Sequence, residues 1–284
     1  MWVARVLWVL VGASGAYAIT DAIDGRSTAV RIVATAQLWV TFGVVLTALV
    51  VPSTVSLTIV RVAAPFAVMS MVVTWSSGAE AVIGVVAIAV ATLNAVFVAG
   101  GDVGQAFVQA SAYGDERRYP LRPPVGFLAP VVVSWCVWGV ATLAGPLLLG
   151  ARQWLAGAIV TAIAIGLTWW LAPRYHRLSR RWLVLAPAGV VVHDQVVLAE
   201  TGMVQRSNVA GMRLAPADTA AADLTGPAAG HALEVSLREQ ITVVLAATRR
   251  KPKGAALHVR SFLVAPTRPG RALQGAGDRQ LPVG

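Results

Sequence analysis

Six stretches of this chain carry almost only apolar side chains, over residues 2–20, 32–51, 54–75, 81–99, 125–149 and 154–172. Each is close to the ~20 residues a helix needs to cross the hydrocarbon of a bilayer. Trp2, Trp75, Trp154, Trp169 and Trp170 fall near their ends, where indole rings prefer the headgroup layer. The expected fold class is a membrane all-α bundle of about six transmembrane helices over residues 1–180, followed by a small soluble mainly-β domain.

After Arg181 the period shortens. WLVLA at 182–186 and VVVH at 190–193 flank Pro187-Ala188-Gly189, a hairpin pattern. LEVSL at 233–237 alternates apolar and polar as a half-buried strand does. Residues 241–246 and 257–264 are further strand candidates, and 215–230, rich in Ala, Gly and Pro, reads as a loop. The β-rich domain is therefore expected over 181–265, with 266–284 a flexible tail.

Composition sharpens the division. The chain is 57% hydrophobic and 13% charged, against about 25% charged in an ordinary soluble domain. The deficit lies in the first 172 residues, with normal density after Arg181. The net charge of +10 is not read as a nucleic-acid signal. Much of it sits in short loops beside apolar segments, where Arg and Lys set orientation. With the N-terminus in the cytoplasm, nine arginines lie inside (Arg5, Arg61, Arg117, Arg118, Arg122, Arg174, Arg177, Arg180, Arg181) and three outside (Arg26, Arg31, Arg152). That asymmetry places both termini in the cytoplasm and the protein in the plasma membrane. Ala16-Tyr17-Ala18 matches a signal-peptidase pattern. With one arginine ahead of the apolar run, however, the first segment reads as a retained signal anchor.

Small residues recur where helices would pack: Ala87, Ala91, Ala95 and Ala99 in the fourth segment, and Gly12, Gly15 and Ala16 in the first. Pro65 and Pro130 are candidate kinks. Ionisable groups are nearly absent at depth, which argues against a proton relay. Gln37, Asn94 and Ser134 are the main polar exceptions. Arg61 lies about two turns inside the third segment. It either snorkels to the interface or meets Asp102 or an anionic group. The connector 100–124 packs Asp115, Glu116, Arg117, Arg118 and Arg122 into a few residues. With Arg174, Arg177, Arg180 and Arg181 these would form a basic collar able to meet lipid phosphates. Arg249, Arg250, Lys251 and Lys253 form a second basic run.

No P-loop, GxSxG elbow or HExxH occurs, and His176, His193, His231 and His258 are scattered. No cofactor, metal or enzymatic activity is expected; an enzyme at the interface would draw on Asp102, Asp115 and Glu116. In strand order and spacing, 181–265 resembles the small pleckstrin-homology-like domains that follow membrane helices in bacteria. That resemblance implies a protein- or lipid-binding module. The whole chain resembles polytopic membrane proteins of high-GC actinobacteria. The leading expectation is a non-enzymatic scaffold or regulator with the cytoplasmic domain as contact surface. The alternative is a transporter or flippase component for an apolar or lipid-like substrate. The expected partners are the bilayer, anionic headgroups and a protein bound through the β domain. A cavity between the helices would separate the two readings.

Overall fold

The computed structural model describes residues 1–247 and 254–284. The basic run at Arg249, Arg250, Lys251 and Lys253 lies outside the described residues. The chain divides into two compact units, one built from 1–106 and 131–175, the other from 107–130 and 176–284.

The first unit holds α1 (Trp2–Ala22), α2 (Thr28–Val50), α3 (Thr54–Ser76), α4 (Ala81–Ala99) and most of α6 (Leu128–Gly150) and α7 (Trp154–Ser179). A short α5 (Gly101–Gln109) follows α4. Six of these helices are long and apolar enough to cross a membrane, so the chain is a multi-pass membrane protein. Their outward positions agree. Leu155 is 78% exposed and Val96 68% exposed, which is stable in hydrocarbon and costly in water.

The boundaries differ from the expected ones where local chemistry decides. Ser27 Oγ accepts the Val30 amide at 3.4 Å and starts α2 at Thr28, ahead of the apolar run. Helix α7 continues past Pro173 to Ser179 and so carries Arg174 and Arg177 on its last turns. Pro130 sits in the first turn of α6, where a proline removes no intrahelical bond. The proline inside α6 is Pro146. The buried face of α4 is Gly84, Ala87, Ala91, Asn94 and Val98. It follows the helical 3.6-residue period and leaves the strict four-residue stripe after Ala91. That face packs in the region of α1 and α3, where small side chains let backbones approach.

The second unit contains two four-stranded sheets. The first is an antiparallel meander of β1 (Arg117–Pro120), β2 (Arg181–Ala186), β3 (Gly189–Asp194) and β4 (Gly202–Gln205). The expected hairpin is β2–β3, and its turn ends on Gly189 at φ 150°. A Cβ there would collide with the Val204 carbonyl, so only glycine fits.

The second sheet runs β5 (Val209–Leu214), β7 (Leu233–Leu245), β8 (Ala255–Val264) and β6 (Ala222–Asp223), with β6 parallel to β8. The two strands expected at 233–237 and 241–246 are one strand, β7, with a register shift between Ser236 and Ile241. Asn208 closes the irregularity. Its Nδ2 donates to Glu239 O at 3.1 Å and its Oδ1 accepts Glu239 N at 2.6 Å.

The core lies among Leu183, Leu185, Val190 and Val192 of the first sheet, Val235, Phe262 and Val264 of the second, and Ala272 and Ala276 of a C-terminal helix. That helix, α8 (Pro269–Asp278), replaces the expected flexible tail. Pro269 opens it with a ready-made φ, and Ala272 and Ala276 are fully buried. Their apolar contacts hold a segment too polar in composition to announce itself.

The connector also departs from a plain loop. Residues 117–120 form the outer strand β1, in register with β2 from Arg117↔Leu185 to Pro120↔Trp182. The β-rich unit is therefore discontinuous in sequence.

Candidate functional site

Within the helical unit a cavity of about 460 Å³ opens among α1, α2, α3 and α6. Its walls are mainly apolar, with Trp8, Phe42, Phe66, Met71, Leu143 and Leu147 among them. Local bonds shape this lining. Trp8 Nε1 donates to Phe42 O at 3.0 Å, tying α1 to α2 with the two rings stacked. Ser70 and Thr74 turn their hydroxyls back to carbonyls four residues earlier, at 2.9 Å each. Their polarity is thereby spent within α3.

Ser77 does the same, donating to Val73 O at 2.7 Å, which leaves Thr41, Gln37 and Arg26 as the other polar side chains of the lining. Gln37 Nε2 donates to Thr142 O at 2.9 Å, while its buried Oε1 has no partner. Among the described residues, Arg26 is the only charged one in the lining. It lies on the α1–α2 connection, and its Nη2 donates to Ser77 O at 3.3 Å. Nearby, Asp21 Oδ2 in the last turn of α1 accepts the Glu80 amide at 2.6 Å, a second tie to the α3–α4 connection.

Arg61 lies half-buried in α3 and does not line this cavity. Asp102 occupies the first turn of α5. The structure therefore puts the polar end of the cavity at Arg26, which the sequence offered only as an orientation charge. Gln37 was legible as a polar exception. Arg26 carried no signal beyond its sign.

The expected basic collar is largely absorbed into the fold. Arg117 Nη1 meets Asp278 Oδ2 at 2.6 Å, and the Asp278 bond holds the guanidinium pKa above its ordinary value. Arg118 pairs with Glu116 at 2.5 Å and lies over the rings of Tyr113 and Trp182. Asp115 pairs with Arg279 at 2.7 Å. The connector is thus strapped twice to the end of α8. Arg122 donates to His231 O, and burial lowers its pKa.

Arg181 is corrected from a lipid contact to a buried residue, 1% exposed. Besides Asp194 it donates to Arg122 O at 2.6 Å and Thr225 O at 3.2 Å. Burying a guanidinium costs too much without such saturation. Arg174 lies over the Trp170 ring at 3.9 Å. Arg177 is exposed and Arg180 half-buried.

On the first sheet His193 stacks against Trp182, with centroids 4.8 Å apart. Its Nδ1 meets Thr201 Oγ1 at 3.1 Å. Burial, then the positive charges of Arg180 and Arg118, push its pKa down, and Asp194 opposes them.

No family model, curated protein or solved structure matches this chain. The reading of function therefore rests on its own geometry.

Proposed function

We propose that the helical unit takes up an apolar or lipid-like molecule from the bilayer and acts as a transport or flippase component. The observation that carries this is the cavity among four membrane helices. A volume of about 460 Å³ lies within the range of ligand pockets, ~300–1,000 Å³. The scarcity of titratable groups at depth speaks for an apolar cargo and for a chain without enzymatic chemistry. We place the protein in the plasma membrane with both termini cytoplasmic, on the nine-to-three arginine asymmetry.

The test uses the full chain, purified from membranes in mild detergent and examined by native mass spectrometry. Ala144 lines the cavity, and Ala144→Phe fills it. The expected result is a retained lipid-like mass on the unchanged protein that is lost from the variant. Equal retention by both, or retention by neither, overturns the reading.

A second reading, a scaffold or regulator acting through the β unit, is favoured by one feature. Strand β4 ends the first sheet with no strand on its outer side among the described residues, and Met203 on it is 55% exposed. An open strand edge can accept an added strand. The outer edge of β5, by contrast, is taken, since Met212 N donates to Pro282 O at 2.8 Å and Gly284 N to Met212 O at 3.1 Å. The pleckstrin-homology-like reading, which rests on the order and spacing of the strand segments in the sequence, would imply a protein or lipid partner. Loss of a co-purifying protein in Met203→Pro, with the lipid-like mass unchanged, would favour this second role.

A further inference from the structure

Helix α6 contains Pro146, and its buried residues Gly139, Ala141, Gly145 and Gly150 are all small. Proline has no N–H to give the carbonyl four residues before it, so Thr142 O lacks its helical donor. Gln37 of α2 supplies one instead. Its Nε2 lies 2.9 Å from Thr142 O and 3.4 Å from Leu143 O. Neighbouring helices commonly satisfy backbone groups that a proline frees in lipid. Here the repair stands at the wall of the cavity, to which α6 contributes Leu143, Ala144, Leu147 and Leu148.

The two parts of α6 are held differently. Before the gap, Trp135 Nε1 donates to Val62 O of α3 at 3.0 Å, and Ser134 Oγ lies 3.0 Å from the Tyr175 hydroxyl of α7. After it, the helix presses on α7. A Cβ on Gly145 would meet Thr161 N at 2.8 Å, and one on Gly157 would meet Leu149 N at 2.7 Å. Against α2 the approach is looser, with a Cβ on Gly150 standing 3.3 Å from Ala29 O. Helices α1, α2 and α3 pack closely on one another, and α6 does not pack as closely on any of them.

The polar groups around the gap are not saturated. Gln37 Oε1, Thr142 Oγ1 and Thr161 Oγ1 are buried with no partner among the described residues. Unmet buried groups are costly, so a second packing that meets some of them lies correspondingly closer in free energy.

Resting on the apolar-ligand reading above, we propose that the C-terminal part of α6, moving with the start of α7 about Gly145-Pro146, is the gate through which the cavity exchanges its occupant with the bilayer. Gln37 is the latch, because it fastens the pivot to α2 and keeps the wall shut. A hinge of this kind takes up the rotation in a few residues while the helix on either side stays whole. Nothing covalent is involved.

The experiment measures the gate directly in the full-length protein in phosphatidylcholine nanodiscs. Cys136→Ser removes the one cysteine, and spin labels are placed at Ser76→Cys, at the end of α3, and Gln153→Cys, just before α7, both exposed positions. Double electron–electron resonance gives the distances between them. The expected result is two distances, with Gln37→Leu raising the ratio of the longer to the shorter about fivefold, the effect of one neutral hydrogen bond. Pro146→Ala returns the helical donor to Thr142 O and leaves the shorter distance alone. A single distance shared by the labelled protein and both variants overturns the gate. If Gln37→Leu fails to insert, one distance common to the labelled protein and Pro146→Ala does so equally. Diazirine-bearing hexadecane, photolysed in the same nanodiscs, tests the ligand reading separately. Label on cavity residues such as Met69 and Leu147 together with a single distance overturns the gate and leaves the apolar-ligand reading standing. Label confined to outward positions such as Val96 and Leu155 overturns both.

Discussion

Arg181 Nε and Nη2 reach Asp194 Oδ1 and Oδ2 at 2.8 and 2.7 Å, with neither side chain exposed to solvent. The pair spans β2 and β3 directly opposite one another. Asp194 also accepts the amides of Val196 and Val197 at 3.0 and 3.3 Å. A buried pair of this kind is destabilising to break and close to neutral to replace whole. Arg181→Met should therefore cost about 3–5 kcal/mol by stranding the carboxylate. The double variant Arg181→Met, Asp194→Leu should recover most of that loss. Resistance of the β unit to proteolysis in the full-length protein against urea measures both. Additive losses would show that the two side chains do not act as a pair.

His193 gives the β unit a pH dependence of definite sign. Its pKa in the fold lies below the ordinary 6.5, so the unfolded chain binds the proton more readily. Stability then rises with pH through the window from the depressed value up to about 6.5, and falls on acidification through it. His193→Gln should flatten that slope without changing stability above pH 7 by much. Thermal melts of the full chain between pH 5 and 8 check it.

The hairpin turn depends on Gly189. Alanine there must adopt φ near 150° and meet the Val204 carbonyl. Gly189→Ala should cost about 2 kcal/mol, with early loss of protection at the amides of β3 and β4 in hydrogen exchange.

The C-terminal helix offers a contrast between two neighbouring positions. Ala276 is fully buried, and Ala276→Leu should destabilise the β unit by about 1–3 kcal/mol through overpacking. Gly277 faces open space in the same helix, and Gly277→Ala should stabilise it by about 0.5 kcal/mol. If α8 were a frayed tail, neither change would register in a melt.

In the membrane unit, Ala91 is fully buried in α4. Ala91→Leu should lower the temperature at which the helical unit aggregates in detergent, by overpacking worth about 1–3 kcal/mol. Leu93→Ala, on the lipid side at 57% exposure, should leave that temperature almost unchanged.

The sequence by itself determined the six spans, because a bilayer demands about 20 apolar residues whatever else the helix touches. It also determined the β2–β3 hairpin, since the alternation and the Pro-Ala-Gly turn are local signals. Tertiary structure decided the rest. Arg117–Pro120 shows no strand alternation and becomes β1 only because β2, far along the chain, supplies its hydrogen bonds. Helix α8 exists because Ala272 and Ala276 find a core to enter. Arg181 reads as a surface charge until Asp194 and two carbonyls are folded around it. The cavity arises because side chains on α1, α2, α3 and α6 do not fill the space they enclose. Packing at that scale depends on distances between helices, and a sequence fixes those only through the contacts of the folded whole.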